Sequence, residues 1–168
     1  MKDYRESDVL VIGCGIAGAT TAMLAAESGL SVTVIAKGKD FTRSNSFLAQ
    51  GGIATLPQGA DATEFIKDIV SAGDELSYLP AVEMLVSEAY PLVKSILIDR
   101  LGVDFSKENG SYDMAMEGGH TRRRVLHYKD MTGQAIQERF AEVSPGWATW
   151  NTCNFIPLRF STVMPIHS

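Results

Sequence analysis

The chain has 168 residues, 45% of them hydrophobic and 21% charged, enough apolar material for one packed domain and too little length for two comfortable ones. Fifteen basic against twenty acidic residues leave a formal charge of −5, so the excess of Lys and Arg expected of a nucleic-acid or anionic-membrane binder is lacking, and neither partner is expected. Two cysteines, Cys14 and Cys153, cannot build a disulfide framework or a Cys-rich metal site, and with a charged start, MKDYRESD, and no apolar run of membrane-spanning length the expectation is a soluble cytoplasmic protein.

In chain order, Asp8–Ile12 (DVLVI) reads as a buried parallel strand, by its length and branched side chains. Ala17–Ser28 is an Ala-rich helical stretch, with Gly29 where a C-terminal cap belongs. Ser31–Ile35 (SVTVI) is a second strand, so the three make a right-handed βαβ unit. A loop containing Gly, Ser and Asn follows, ending in AQGGI at Ala49–Ile53. Helices are predicted over Ala62–Ala72, opened by Asp61, and over Pro80–Leu101, which Pro91 should kink or split. Lys107–Gly110 is a polar turn region, and a last amphipathic helix runs from about Thr132 to Val143. The fold class is α/β: a Rossmann-like βαβ unit followed by helical segments.

Gly13-Cys14-Gly15-Ile16-Ala17-Gly18 is GxGxxG, placed directly after a strand and opening a helix. The first glycine permits a tight turn, the second lets backbone approach a pyrophosphate, and the third lets helix and strand pack closely. The helix N-terminus adds unpaired N–H groups and the positive end of the dipole. The dinucleotide itself is left open by this pattern. A carboxylate usually closes the second strand to hold a ribose hydroxyl, and here Ile35-Ala36-Lys37 carries none. Lys37 suits either a 2′-phosphate or a flavoprotein that uses Lys at that position.

The segment Asn45-Ser46-Phe47-Leu48-Ala49-Gln50-Gly51-Gly52-Ile53 resembles the S/T-x-x-A-Q-G-G-I segment of the succinate dehydrogenase and fumarate reductase flavoprotein superfamily, which wraps FAD near its isoalloxazine ring. Glycines and small residues suit backbone that must approach a flat ring. Respiratory members bond the flavin covalently through a histidine at the place of Asn45, so the resemblance implies FAD held non-covalently here. Glu117-Gly118-Gly119-His120-Thr121-Arg122-Arg123-Arg124-Val125-Leu126-His127 is similar to the EGGH-[ST]-x-R-R-[IV]-L-H signature of the L-aspartate oxidases. Aspartate differs from succinate by one ammonium group, and a carboxylate aimed at that group supplies a charge-assisted contact. The resemblance therefore implies that Glu117 orients L-aspartate, that the implied fold is an incomplete FAD-binding domain, and that Gly13 to Gly18, Lys37 and Asn45 to Gly52 hold the cofactor. His120 and His127 do not make a metal site, because no cysteine or paired carboxylate completes one.

The family reaction removes two electrons from L-aspartate to FAD, giving iminosuccinate for quinolinate and NAD synthesis, with oxygen or fumarate reoxidising the flavin. A fumarate reductase-like flavoprotein and a non-catalytic FAD-binding module are the alternatives. The resemblance runs from Asp8 to about Val143, so residues 1–143 are expected to be the N-terminal part of an FAD-binding domain and residues 144–168 a tail outside it. Residues 144–168 contain no acidic residue, hold both tryptophans and three of the six prolines, and fit neither a helical nor an alternating pattern. In a frame starting at the third base of the Gly146 codon, Trp147 with Ala148 forces a glycine codon and Trp150 with Asn151 forces glutamate. The intervening and following codons permit Gly-Asn-Met-Glu-Tyr-Val-Gln-Phe-His-Pro-Thr, which matches the family segment whose histidine contacts a substrate carboxylate. A frameshifted tail is the expectation. The family's substrate histidine and its later proton-handling arginine are not read in frame, so the chain alone is expected to be inactive.

Overall fold

The computed structural model describes residues 6–36, 44–57, 59–143 and 154–158. Strand β1 (Val9–Ile12), helix α1 (Ile16–Glu27) and strand β2 (Val32–Ala36) form the expected parallel βαβ unit, with Val9 opposite Val32 and Val11 opposite Val34. Both strands begin one residue later than their composition suggests, because Asp8 and Ser31 bond to each other instead. Ser31 donates its N–H (2.8 Å) and hydroxyl (2.6 Å) to Asp8 Oδ2, while Asp8 N–H donates to Ser31 O (3.0 Å). These bonds hold the Asp8 carboxyl below the usual carboxylate range. α1 buries Ala19, Ala22, Met23 and Ala26, the three- and four-residue spacing of one helix face. It ends with Gly29 N–H donating to Ala26 O and Leu30 N–H to Ala25 O, the paired bonds of a Schellman cap at the predicted glycine.

β1 corrects one expectation. It is buried on one face only: Val11 is enclosed, while Leu10 and Ile12 are exposed, Ile12 at 81%. A continuous apolar run predicts burial on both faces only when elements cover both. β1 is an edge strand of a three-stranded sheet in which β2 is central. Strand β8 (Asn154–Leu158) pairs antiparallel with the other side of β2, Val32 opposite Leu158 and Thr33 opposite Pro157. The tail's composition predicted no element there. Backbone pairing needs no alternation of side chains, and proline is tolerated on an edge strand.

The remaining described elements begin with helix α2 (Asn45–Leu48), inside what the sequence suggested was loop. Strand β3 (Ile53–Ala54) follows, then helix α3 (Ala62–Ala72), whose Asp61 cap accepts the Thr63 N–H at 2.8 Å. Helix α4 (Leu79–Leu92) contains Pro91 and runs into a π-helical segment, Val93–Arg100. Pro91 has no N–H to donate, so a change of helical register close behind it is the expected splitting in a milder form. Phe65, Val82 and Val86 form a core with Ala54, Leu56, Ile66 and Ile69 packed on it.

Strands β4 (Lys107–Glu108) and β5 (Ser111–Tyr112) make a hairpin at the predicted polar turn. Its two turn residues, Asn109 and Gly110, both have positive φ, the signature of a tight hairpin turn. Strands β6 (Met114–Ala115) and β7 (Val125–Leu126) pair antiparallel, with β3 on the other side of β7. Helix α5 (Thr132–Glu142) matches the last prediction to within a residue. The chain divides into two units, Met1–Leu48 with Ile136–Ser168, and Ala49–Ala135. Among the described residues no helix is long and apolar enough to cross a membrane.

Candidate functional site

Gly13 closes β1 with a positive φ of 105°, and its N–H donates to Ile35 O at 2.7 Å, which ties the loop to β2. Gly18 faces back onto it. A Cβ there would drive into Gly13 O and stand 3.2 Å from Val11 Cγ1, so the crossing of α1 over β1 requires glycine. Gly15 caps α1 without a side-chain bond, and the first turn carries no carboxylate. The N-terminal positive end of the helix is therefore not neutralised by its own residues.

Ile16 N–H donates to Ser46 Oγ at 3.1 Å, although thirty residues separate them. Ser46 lies on α2, whose N-terminus is capped by Ser44: its hydroxyl accepts the Phe47 N–H at 3.1 Å. Gln137 on α5, only 1% exposed, donates from Nε2 to Ser44 Oγ (3.1 Å) and to Cys14 O (3.4 Å). Gly13, Cys14, Gly15, Ile16, Ala17 and Gly18 are thereby brought together with Asn45–Leu48. Ser44 and Gln137 were not singled out in the sequence. Gln137 looks like any polar position of an amphipathic helix, and Ser44 carries only a weak cap signal. Lys37 lies outside the described residues.

In the other unit, Ala49 O accepts the Gly133 N–H (2.9 Å) and Gly51 O accepts the Thr132 hydroxyl (2.7 Å). Glu117 is exposed, with its carboxylate turned onto Gly51: a Cβ on that glycine would be 2.7 Å from Glu117 Oε1. Gly52 packs against the β7 backbone so closely that a Cβ would overlap Leu126 O. Gln50 is exposed.

The basic run resolves into three separate environments. Arg122 pairs with Glu64 at the surface, and Arg123 reaches Asp113 (3.8 Å) and Met114 O (3.3 Å). Arg124 is 3% exposed and pairs with Asp68, itself 7% exposed, at 3.1 Å. Its guanidinium lies 4.5 Å from the centre of the Phe65 ring. Asp68 Oδ2 also accepts the Thr121 N–H (2.9 Å) and hydroxyl (3.0 Å). The Thr121 N–H bond, ahead of the Arg124 charge, holds the Asp68 carboxyl below its usual range. Asp68 thus anchors the stretch that begins at Glu117. His120 tilts against the Phe65 ring, and His127 bonds Asp113 through Nε2 (3.3 Å) and Lys129 O through Nδ1 (3.2 Å).

The α1 terminus, with no acidic first turn or side-chain cap of its own, suits the pyrophosphate of a dinucleotide, and in the other unit Gly51 and Gly52 let Glu117 and the β7 backbone come closer than a Cβ would allow. The FAD binding domain family matches residues 8–146. An L-aspartate oxidase of Halobacterium salinarum is 40% identical over 136 residues, 81% of this chain and 26% of that protein. L-aspartate oxidase 2 of Ralstonia nicotianae is 41% identical over 130 residues, 77% of this chain and 24% of that protein. The chain thus spans about a quarter of the length of these curated relatives. Among solved structures, Mycobacterium smegmatis Sdh1 in complex with UQ1 superposes with a TM-score of 0.73 at 28% identity, covering 81% of this chain and 23% of that one. Escherichia coli quinol fumarate reductase FrdA gives the same TM-score at 24% identity, over 81% of this chain and 23% of that one, and so shares the fold. A βαβ unit carrying GxGxxG, a glycine-lined segment after it and this agreement across most of the chain place the protein in the FAD binding domain family, with FAD as its cofactor and L-aspartate oxidases among its relatives.

Proposed function

We propose that residues 8–143 are the FAD-binding part of a flavoprotein that oxidises L-aspartate to iminosuccinate, the compound from which quinolinate and NAD are made. FAD, when bound, supplies the two-electron acceptor. The chain's own residues bind and orient. Gly13 to Gly18 offer the pyrophosphate bare backbone and the positive end of α1. Asn45 to Gly52 follow the flavin, and Asn45 lacks the ring nitrogen a covalent link would need. Glu117 meets the substrate ammonium. The observation that carries this reading is the Glu117 carboxylate turned onto Gly51 of the glycine-lined segment, a negative charge where an amino acid, but not a plain dicarboxylate, gains a partner. No described residue is assigned a proton-transfer step.

A chimera tests this reading: residues 8–143 replacing their counterpart in the Halobacterium salinarum L-aspartate oxidase. It is expected to oxidise L-aspartate in preference to succinate. In it, Glu117→Gln should lower kcat/KM for L-aspartate by roughly ten- to a hundredfold, mostly through KM, and leave any succinate reaction unchanged. A chimera that prefers succinate and ignores Glu117→Gln would instead favour a fumarate reductase-like activity.

For residues 144–168 we propose a shifted reading frame. The family match stops at residue 146, and the two codons forced by Trp147-Ala148 and Trp150-Asn151 coincide with glycine and glutamate of the family segment. Sequencing codons 144–168 is expected to spell Met-Glu-Tyr-Val-Gln-Phe-His-Pro-Thr in that frame. A stop codon at the Cys153–Asn154 junction would make the tail a sequence in its own right.

A further inference from the structure

The geometry points to Gln137 as the positioning residue of the dinucleotide loop. A primary amide has two N–H donors and an oxygen with two lone pairs. Gln137 is almost wholly enclosed and gives its donors to Cys14 O at 3.4 Å and Ser44 Oγ at 3.1 Å. The orientation of the amide is not arbitrary: Cys14 O can only accept, so the NH2 group must face it. Oε1 is then left buried and without a hydrogen-bond partner among the described residues. A buried amide serving packing alone would be cheaper as a leucine or methionine, because an orphaned acceptor costs free energy that no contact returns.

What the amide does is set the direction of one peptide plane. Cys14 O and Gly15 N–H belong to the same planar trans peptide, in which carbonyl and N–H point in opposite directions. Drawing the carbonyl toward α5 turns the Gly15 N–H away from α5, at the glycine through which a GxGxxG backbone approaches a pyrophosphate. The second donor acts on the other half of the predicted cofactor set. It fixes the Ser44 hydroxyl, which caps α2, and α2 carries the Ser46 hydroxyl that bonds Ile16 N–H. One side chain therefore holds both the loop peptide and the cap of the following helix, from 93 and 123 residues away in sequence. This rests on FAD being the group the loop receives.

The test uses the full chain with Gln137→Met, which keeps volume and flexibility and removes both donors, Ser44→Ala, which removes one partner, and Val32→Ala as a buried change in the same unit, opposite Val9 at the end of β2 remote from the loop. FAD affinity is read from quenching of flavin fluorescence, and the Gly15 and Phe47 amides are read by nitrogen-15 NMR and hydrogen exchange without FAD. Gln137→Met is expected to weaken FAD binding roughly tenfold, shift the Gly15 amide resonance and speed exchange at Phe47. Ser44→Ala should reproduce the Phe47 effect with a smaller loss of affinity. Val32→Ala should lower the melting temperature and leave both amides in place. Gln137→Met with FAD affinity within twofold of wild type and an unmoved Gly15 amide would overturn the assignment. If that variant does not fold, unchanged Phe47 exchange in Ser44→Ala would do so. If the wild-type chain fails to retain FAD, the cofactor premise falls separately, and the amide readouts still decide whether Gln137 orients the loop.

Discussion

Asp68→Ala is expected to lower the unfolding free energy of the full chain by about 3–5 kcal/mol, read from urea or thermal melts. The loss is large because Arg124 stays behind over the Phe65 ring, 3% exposed, with Nε and Nη1 already lacking hydrogen-bond partners among the described residues and Nη2 left with the Thr121 hydroxyl at 3.3 Å. Removing both charges should cost much less. Asp68→Ala combined with Arg124→Met, which lays an apolar side chain over Phe65, is expected to recover a good part of the stability, since replacing a buried pair by apolar groups is often near neutral. The same carboxylate predicts an acid signature. The Thr121 N–H bond and then the Arg124 charge hold the Asp68 pKa below its value in the unfolded chain. Its contribution is therefore complete above the usual carboxylate value of about 3.9 and disappears as pH falls through the lower, folded value. Wild type should lose stability over that interval more steeply than Asp68→Ala.

Gly18→Ala is the second large effect. A Cβ at Gly18 meets the Gly13 carbonyl, backbone against backbone, so no side chain can turn aside to relieve it. The helix must lift from β1 or the loop must deform, at about 1–3 kcal/mol. FAD affinity is expected to fall at least tenfold even at temperatures where the variant is fully folded, because the loop that moves is the loop assigned to the pyrophosphate. A Gly18→Ala protein that melts at a lower temperature yet binds FAD normally would separate helix packing from cofactor binding at this position.

The βαβ unit was legible because local and long-range demands coincide in it. Val9–Ile12 and Val32–Ala36 are apolar and branched, the turn between strand and helix is glycine where backbone must touch backbone, and Gly29 and Asp61 sit at helix ends for local reasons. What was not legible depends on residues far apart. Two-residue strands such as β6 and β7 are too short to show a period, and α2 is four residues defined by the Ser44 cap. Asp68 gives no local sign that it will receive Thr121 from 53 residues away. The EGGHTRRR stretch was readable as a motif, yet Arg122, Arg123 and Arg124 look alike in sequence and end in three environments, because only Arg124 finds Asp68 and Phe65 beneath it. The apolar run of β1 concealed its exposed face for the same reason: a strand's composition records what it could bury, and its neighbours decide what it does.

β2 is bonded on its two sides by partners of very different age in synthesis. Residues 23 apart join it to β1, whereas Val32 and Leu158 are 126 apart. Closing the longer loop costs about 1.5 kcal/mol more chain entropy by the logarithmic rule, and it cannot begin until residue 158 has left the ribosome. Throughout that interval β2 presents an open row of amides and carbonyls on one side. Any extended segment arriving there can satisfy the row through its backbone, whatever its side chains, and the antiparallel pairing of β8 does this with a sequence that shows no alternation.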